Sequence, residues 1–129
     1  MPAGELLEMS AERLVLPPHA QPGPDIAAGD PERPLHDLLL ASVPARVLRP
    51  SSDRLLGPLR EYDDRHNAEL VSTLRSFLGC DGSWSACASR MYVHVNTVRY
   101  RIGRIEALTD RDLSALADRV DFFLALRSG

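Results

Sequence analysis

Between residues 83 and 105 the sequence concentrates side chains that bind phosphate and read bases. This segment holds Arg90, Arg99, Arg101 and Arg104 and no acidic residue, although the chain of 129 residues has a formal net charge of -3. Guanidinium groups bind phosphate oxygens, and each phosphate that they neutralise releases counterions condensed on a nucleic acid. The segment therefore predicts a surface that binds the backbone of duplex DNA.

The same segment predicts two short helices joined by a tight turn. Ser83 is a suitable N-cap residue, because its hydroxyl accepts a hydrogen bond from a free backbone N–H. Residues at helical spacing then predict one buried stripe on the first helix: Trp84, Cys87, Ala88 and Met91. A second helix is expected to begin at His94 or Val95, with an apolar stripe that faces the first: Val98, Ile102, Ile105 and Leu108. Two helices around a turn of a few residues are typical of a helix-turn-helix.

The polar side of the second helix supplies the candidate DNA contacts. At about 100° per residue, Asn96, Arg99 and Tyr100 point away from the apolar stripe, while Arg101 and Arg104 flank it. The complete set of predicted DNA-binding residues is His94, Asn96, Thr97, Arg99, Tyr100, Arg101 and Arg104.

Structural roles compete with these DNA contacts. Asn96 is the best candidate for reading a base, because its amide pairs bidentately with adenine in the major groove, but a helix-capping role is an alternative. His94 is equally well explained as a phosphate contact or as a cap at the helix start. The arginines are explained either as phosphate contacts or as a solvated face. Phosphate contact is favoured, since the segment contains no acid to form i, i+4 pairs.

The segment also resembles a known family. The run VHVNTVRYRI at residues 93–102, followed by Arg104-Ile105-Glu106, resembles the C-terminal helix-turn-helix of the PucR/CdaR-type transcriptional regulators. The resemblance extends upstream through Leu56-Gly57-Pro58-Leu59 and Tyr62-Asp63, and downstream through Asp118-Arg119, so it covers about residues 55–127. It implies a bacterial transcription regulator of catabolic genes, with purine, sugar-diacid or amino-acid breakdown as typical settings.

The chain departs from the family pattern at three points. Family members usually have long ligand-sensing regions and a nucleotide-cyclase-like domain upstream, so we expect the effector site to be absent from this chain. Asp110 stands where a glycine usually closes the recognition helix, and the left-handed conformation needed there is less favourable for aspartate. Gly103 stands where a polar side chain is common, at a cost of about 1 kcal/mol relative to alanine in a helix interior.

The pattern predicts an all-α fold with a helix-turn-helix DNA-binding domain of about four main helices. Residues 1–34 are rich in proline and glycine and are expected to form a disordered tail. Residues 35–62 are expected to be a short helical segment, a possible remnant of an upstream domain, with helices at residues 35–42 and 53–62. Residues 63–129 are expected to form the helix-turn-helix domain, with a first helix from Asp63 or Asp64 to Gly79. A last helix over residues 113–127 is expected to bury Leu116, Val120, Phe123 and Leu124.

Other classes of protein are disfavoured. No apolar run approaches the roughly 20 residues that span a bilayer, and no signal segment opens the chain, so we expect a cytoplasmic protein without membrane contact. Cys80 and Cys87 are expected to be free thiols, and no zinc site or other cofactor is predicted. No catalytic set or glycine-rich phosphate loop indicates an enzyme. The expected partner is duplex DNA, and the chain is expected to bind it as a homodimer. The alternative is a truncated or decayed regulator that acts as a helical protein-interaction module.

Overall fold

In the computed structural model, residues 32–128 are described, and they form six α-helices and no strand. The helices are α1 Leu35–Ser42, α2 Ala45–His66, α3 Leu70–Gly79, α4 Trp84–Met91, α5 Val95–Thr109 and α6 Leu116–Ser128. The chain divides after Ser42 into two units, with α1 in the first and α2–α6 in the second. The all-α prediction is confirmed for this part of the chain. Residues 1–31, which include most of the predicted tail, lie outside the described residues.

Helix α2 is longer than the sequence predicts. It runs for 22 residues and continues through Pro50 and Pro58, so the predicted start at residue 53 is wrong. Proline removes a backbone donor and normally breaks a helix interior. Packing outweighs that cost here, because Leu56 and Leu59 are completely buried. The helix also crosses residue 62, where the sequence predicted a boundary between two segments.

The predicted start of the first helix of the helix-turn-helix domain is wrong. Helix α3 begins at Leu70, not at Asp63 or Asp64, because Asn67 and Glu69 both adopt left-handed backbone conformations that end one helix before the next begins. Asp63 still caps α3, but from the last turn of α2. Its carboxylate accepts hydrogen bonds from the backbone N–H groups of Leu70, at 2.6 Å, and Val71, at 3.1 Å. Those groups have no partner within their own helix.

The core of the second unit is formed by α2–α5 together with Leu113 and the buried face of α6. Val98, Ile102 and Ile105 form the buried face of α5, as the sequence predicts. On α4, Cys87 and Ala88 are buried, whereas Trp84 and Met91 are half-buried at the margin of the core. Leu70, Leu74 and Phe77 complete the packing from α3. Close contact of α5 with α2, α3 and α4 fixes the orientation of the whole helix.

Helix α6 buries a different face from the predicted one. Phe122 and Ala125 are buried, whereas Leu116 and Val120 are 67% and 43% exposed. The run from Phe122 to Leu126 is entirely apolar, so periodicity does not select a face. Contact with α2 does so, and there the Ser52 hydroxyl donates a hydrogen bond to the carbonyl of Ala125 at 3.1 Å.

The contrast between Val98 and Gly103 gives a test of the packing of α5. We expect Val98→Ala to lower the free energy of unfolding by about 1–4 kcal/mol through lost burial and a residual cavity. Gly103→Ala should raise it by about 1 kcal/mol, because alanine is the better helix former and its Cβ would meet nothing within 4 Å. Urea unfolding of both variants measures these changes. A stabilising Val98→Ala change would contradict the observed core.

Candidate nucleic-acid interface

The turn between α4 and α5 is built from local hydrogen bonds. The Ser83 hydroxyl accepts from the backbone N–H of Ala86 at 3.1 Å, which confirms the predicted cap of α4. At the other end of α4, Tyr92 adopts a left-handed conformation, and the N–H of Val93 donates to the carbonyl of Ala88 at 3.0 Å. These contacts close α4 and set the direction in which α5 leaves.

His94 is the N-cap of α5. Its Nδ1 accepts a hydrogen bond from the backbone N–H of Asn96 at 3.0 Å. An imidazole that accepts through Nδ1 in its neutral form carries its proton on Nε2, which is then a donor. The structure therefore shows the capping role and keeps an N–H donor at the exposed start of α5, where the helix dipole favours anions.

Three predicted contacts lie together on the exposed face of α5. Asn96, Arg99 and Tyr100 are all exposed, opposite the buried Val98 and Ile102, while Thr97 is half-buried beside them. The Arg99 guanidinium carbon lies 5.2 Å from the centroid of the Trp84 ring. Trp84 in turn contacts the Phe77 ring, with centroids 5.1 Å apart. The Arg99 side chain therefore packs on Trp84, which in turn packs on Phe77 of α3.

Arg101 turns away from that face and ties α5 to the start of α3. Its Nη1 donates to the Thr73 hydroxyl at 3.2 Å and lies 3.7 Å from a carboxylate oxygen of Glu69. The side chain is only 20% exposed. Sequence periodicity places Arg101 on a flank of α5 and gives no sign of these partners on another helix.

Arg104 lies between two aromatic rings. Its guanidinium carbon is 5.5 Å from the ring centroids of both Tyr62 and Tyr100, and its Nη2 donates to the Tyr100 hydroxyl at 3.0 Å. This hydrogen bond is the main reason that the pKa of Arg104 is raised and that of Tyr100 is lowered. Sequence reasoning did not assign Tyr62 to the site. The one sequence feature that pointed to Tyr62 was its place in the Tyr62-Asp63 pair of the family resemblance.

Helix α5 ends at Asp110, the residue that stands where the family pattern usually has a glycine. Asp110 is the C-cap and adopts the left-handed conformation, with φ of 58°. Glu106 does not face the exposed arginines, because its carboxylate accepts from the backbone N–H of Leu113 at 2.8 Å.

Neither a cluster of metal ligands nor a membrane-spanning helix occurs in the described part of the chain. Residues 32–128 contain no group of three or more histidine, cysteine or acidic side chains placed to hold a metal ion. Within the same residues, no helix combines the length and apolarity needed to cross a bilayer.

Comparison with known proteins identifies this arrangement. The family model for the PucR C-terminal helix-turn-helix domain matches residues 70–128, which contain α3–α6. These residues are a PucR-type helix-turn-helix domain. The match confirms the resemblance drawn from the sequence.

Individual relatives agree with the family match. The chain is 35% identical to an uncharacterised protein from the pkwA 5′ region of Thermomonospora curvata, over 92% of this chain and 63% of that protein. It is 29% identical to the DNA-binding transcriptional activator AdeR of Bacillus subtilis, over 56% of this chain and 17% of AdeR. It is 32% identical to the proline-responsive transcriptional activator PutR of Bacillus subtilis, over 55% of this chain and 17% of PutR.

The chain therefore spans less than two thirds of each of these relatives. No solved structure matches it significantly. The match of residues 70–128 to a PucR-type helix-turn-helix and the similarity to named transcriptional activators support DNA binding by this domain.

Proposed function

We propose that the chain is a sequence-specific transcription regulator in which α5 enters the major groove of DNA and α4 crosses the backbone. The observation that carries this proposal is the single exposed face of α5 formed by Asn96, Arg99 and Tyr100. That face belongs to a segment without acidic residues, so it attracts phosphate although the net charge of the chain is -3.

The geometry supports different roles for the predicted contacts. Asn96 is proposed to read an adenine, because His94 already caps α5 and the amide of Asn96 is not needed for that purpose. Arg99 is proposed to bind a phosphate. His94 and Thr97, at the start of α5, are proposed to contact the backbone through donors near the positive end of the helix dipole.

Arg101 and Arg104 receive positioning roles in this proposal. Arg101 holds α5 against α3 through Thr73, and Arg104 contacts Tyr100 on the exposed face. The phosphate affinity of the face then depends mainly on Arg99, with long-range attraction from its neighbours.

The biological setting is also a proposal. Control of catabolic genes is supported by the family resemblance and by the proline-responsive activator PutR among the relatives. Action on chromosomal DNA would place the chain in the cytoplasm. Response to an effector would then depend on sequences other than the helix-turn-helix domain.

Arg99 and Arg101 provide a matched pair for testing the DNA interface. Arg99→Ala should weaken binding to duplex DNA and lower the slope of log affinity against log salt by about 0.9, because one phosphate contact is lost. Arg101→Ala should leave that slope nearly unchanged and instead lower the melting temperature. Fluorescence anisotropy between about 50 and 200 mM salt measures the slopes. A wild-type affinity independent of salt would instead indicate a protein-interaction module.

Asn96→Ala tests base recognition. If its amide reads adenine, discrimination at one base pair should fall by about 1–3 kcal/mol while the melting temperature stays nearly constant. The measurement is a panel of single-base variants of a duplex selected by the chain from a random library. A uniform loss of affinity for all duplexes together with a loss of stability of roughly 1 kcal/mol would assign Asn96 a structural role.

A homodimer on DNA is expected from the size of the interface. One recognition helix contacts few base pairs, and single modules bury little surface, so specificity normally requires two half-sites about one helical turn apart. Sedimentation of the chain with a selected duplex should therefore show two chains per duplex. One chain bound to one selected site at saturation would count against the dimer.

A further inference from the structure

The hydroxyl of Tyr100 has a defined hydrogen-bond polarity. Arg104 Nη2 lies 3.0 Å from the Tyr100 oxygen. A guanidinium group has only donors, so the tyrosine oxygen is the acceptor in this contact. The single proton of the hydroxyl must then point away from Arg104. Because Tyr100 is 60% exposed on the face of α5 that carries Asn96 and Arg99, that proton is available to an acceptor outside the protein.

Arg104 is held in the position that this contact requires. Tyr62 supplies a second ring at 5.5 Å from the guanidinium carbon, from a helix that lies outside the helix-turn-helix. Tyr62 is itself packed against the His66 ring, with centroids 4.4 Å apart, and Leu59 anchors the same helix in the core. A planar guanidinium between two rings loses little further freedom when it donates to Tyr100.

A second donor of Arg104 is not accessible to DNA. The Nε atom of Arg104 is shielded from solvent and has no hydrogen-bond partner among residues 32–128. The hydrogen bond from Arg104 is the largest cause that lowers the pKa of Tyr100, and a hydrogen bond with the Tyr62 side chain is the second. A more acidic hydroxyl is a stronger donor to an anionic oxygen.

We propose that the Tyr100 hydroxyl donates a hydrogen bond to a DNA phosphate, and that Arg104, braced by Tyr62, is a positioning residue that acts through Tyr100. This inference rests on the proposed placement of α5 in the major groove. Helix α2, which precedes the matched residues 70–128, then contributes to DNA binding without contacting DNA itself.

A double-mutant cycle on the full chain tests the proposal. Tyr100→Phe should weaken binding to a selected duplex about tenfold, as for loss of a hydrogen bond to a charged group. The salt slope should not change, because a neutral hydroxyl releases no counterion. Arg104→Lys keeps the charge but loses the planar fork, so it should cause a similar loss of affinity. The double variant should bind no more weakly than Tyr100→Phe alone, because both changes remove the same contact.

Controls separate this effect from general loss of charge or fold. Arg99→Ala should lower the salt slope, in contrast to Tyr100→Phe. Arg60→Gln removes a charge from an exposed position on α2 and should leave the affinity almost unchanged. Circular dichroism checks folding. If Arg104→Lys does not fold, the same cycle with Tyr62→Leu and Tyr100→Phe replaces it, with the same expected non-additivity.

Alkaline titration of tyrosinate absorbance gives a readout that simple packing would not change. The difference between the wild type and Tyr100→Phe isolates the titration of Tyr100. Arg104→Gln should raise the pKa of Tyr100 toward its ordinary value, because the hydrogen bond from the guanidinium is removed, and with it the positive charge. An unchanged titration would overturn the pairing of these two residues.

The remaining outcomes distinguish this inference from the proposed function. If the wild type binds no duplex, both fail. If the wild type binds with a steep salt slope but Tyr100→Phe binds equally well, only the phosphate contact of Tyr100 fails. Additive losses from Arg104→Lys and Tyr100→Phe would show that Arg104 contacts DNA directly.

Discussion

The division of α5 into one buried and one exposed face is the constraint on which the rest of the structure depends. Val98, Ile102 and Ile105 must be buried against three other helices, while the opposite face must stay exposed and polar. A helix of 15 residues satisfies both demands because its apolar residues recur once per turn. The turn at Tyr92 and the cap at His94 meet this constraint, because they set the direction in which α5 leaves α4.

Three arginines within six residues of α5 have different environments. Arg99 lies over Trp84, Arg101 donates to Thr73, and Arg104 lies between two tyrosines. Ion pairs at exposed positions contribute at most about 1 kcal/mol, so charge alone would not fix these side chains. Aromatic rings and hydroxyls from other helices do so instead. They direct one guanidinium outward and keep another against α3.

Acidic residues are used at the corners of the fold. Asp63 accepts from the start of α3, Glu106 from Leu113, and Asp118 from the backbone N–H of Asp112 at 2.8 Å. Asp118 and Asp121 also pair with Arg111, at 2.9 Å each. The carboxylate of Asp63 satisfies donors that the start of α3 leaves without partners, and those of Glu106 and Asp118 satisfy backbone donors in the connection between α5 and α6. These acidic residues all lie outside residues 83–105, so that segment has no acid although the net charge of the chain is -3.

Local patterns determined the all-α fold, the Ser83 cap of α4 and the division of α5 into buried and exposed faces, whereas the structure decided between the two explanations of His94. These features depend on residues within one or two turns of each other, where spacing directly sets direction. The tertiary structure alone decided the course of α2 through two prolines, the buried face of α6, the contact of Arg101 with Thr73 and that of Arg104 with Tyr62. In each case the deciding partner lies on another helix. Packing energy between distant segments outweighs local propensity there, and neither periodicity nor composition records which segments meet.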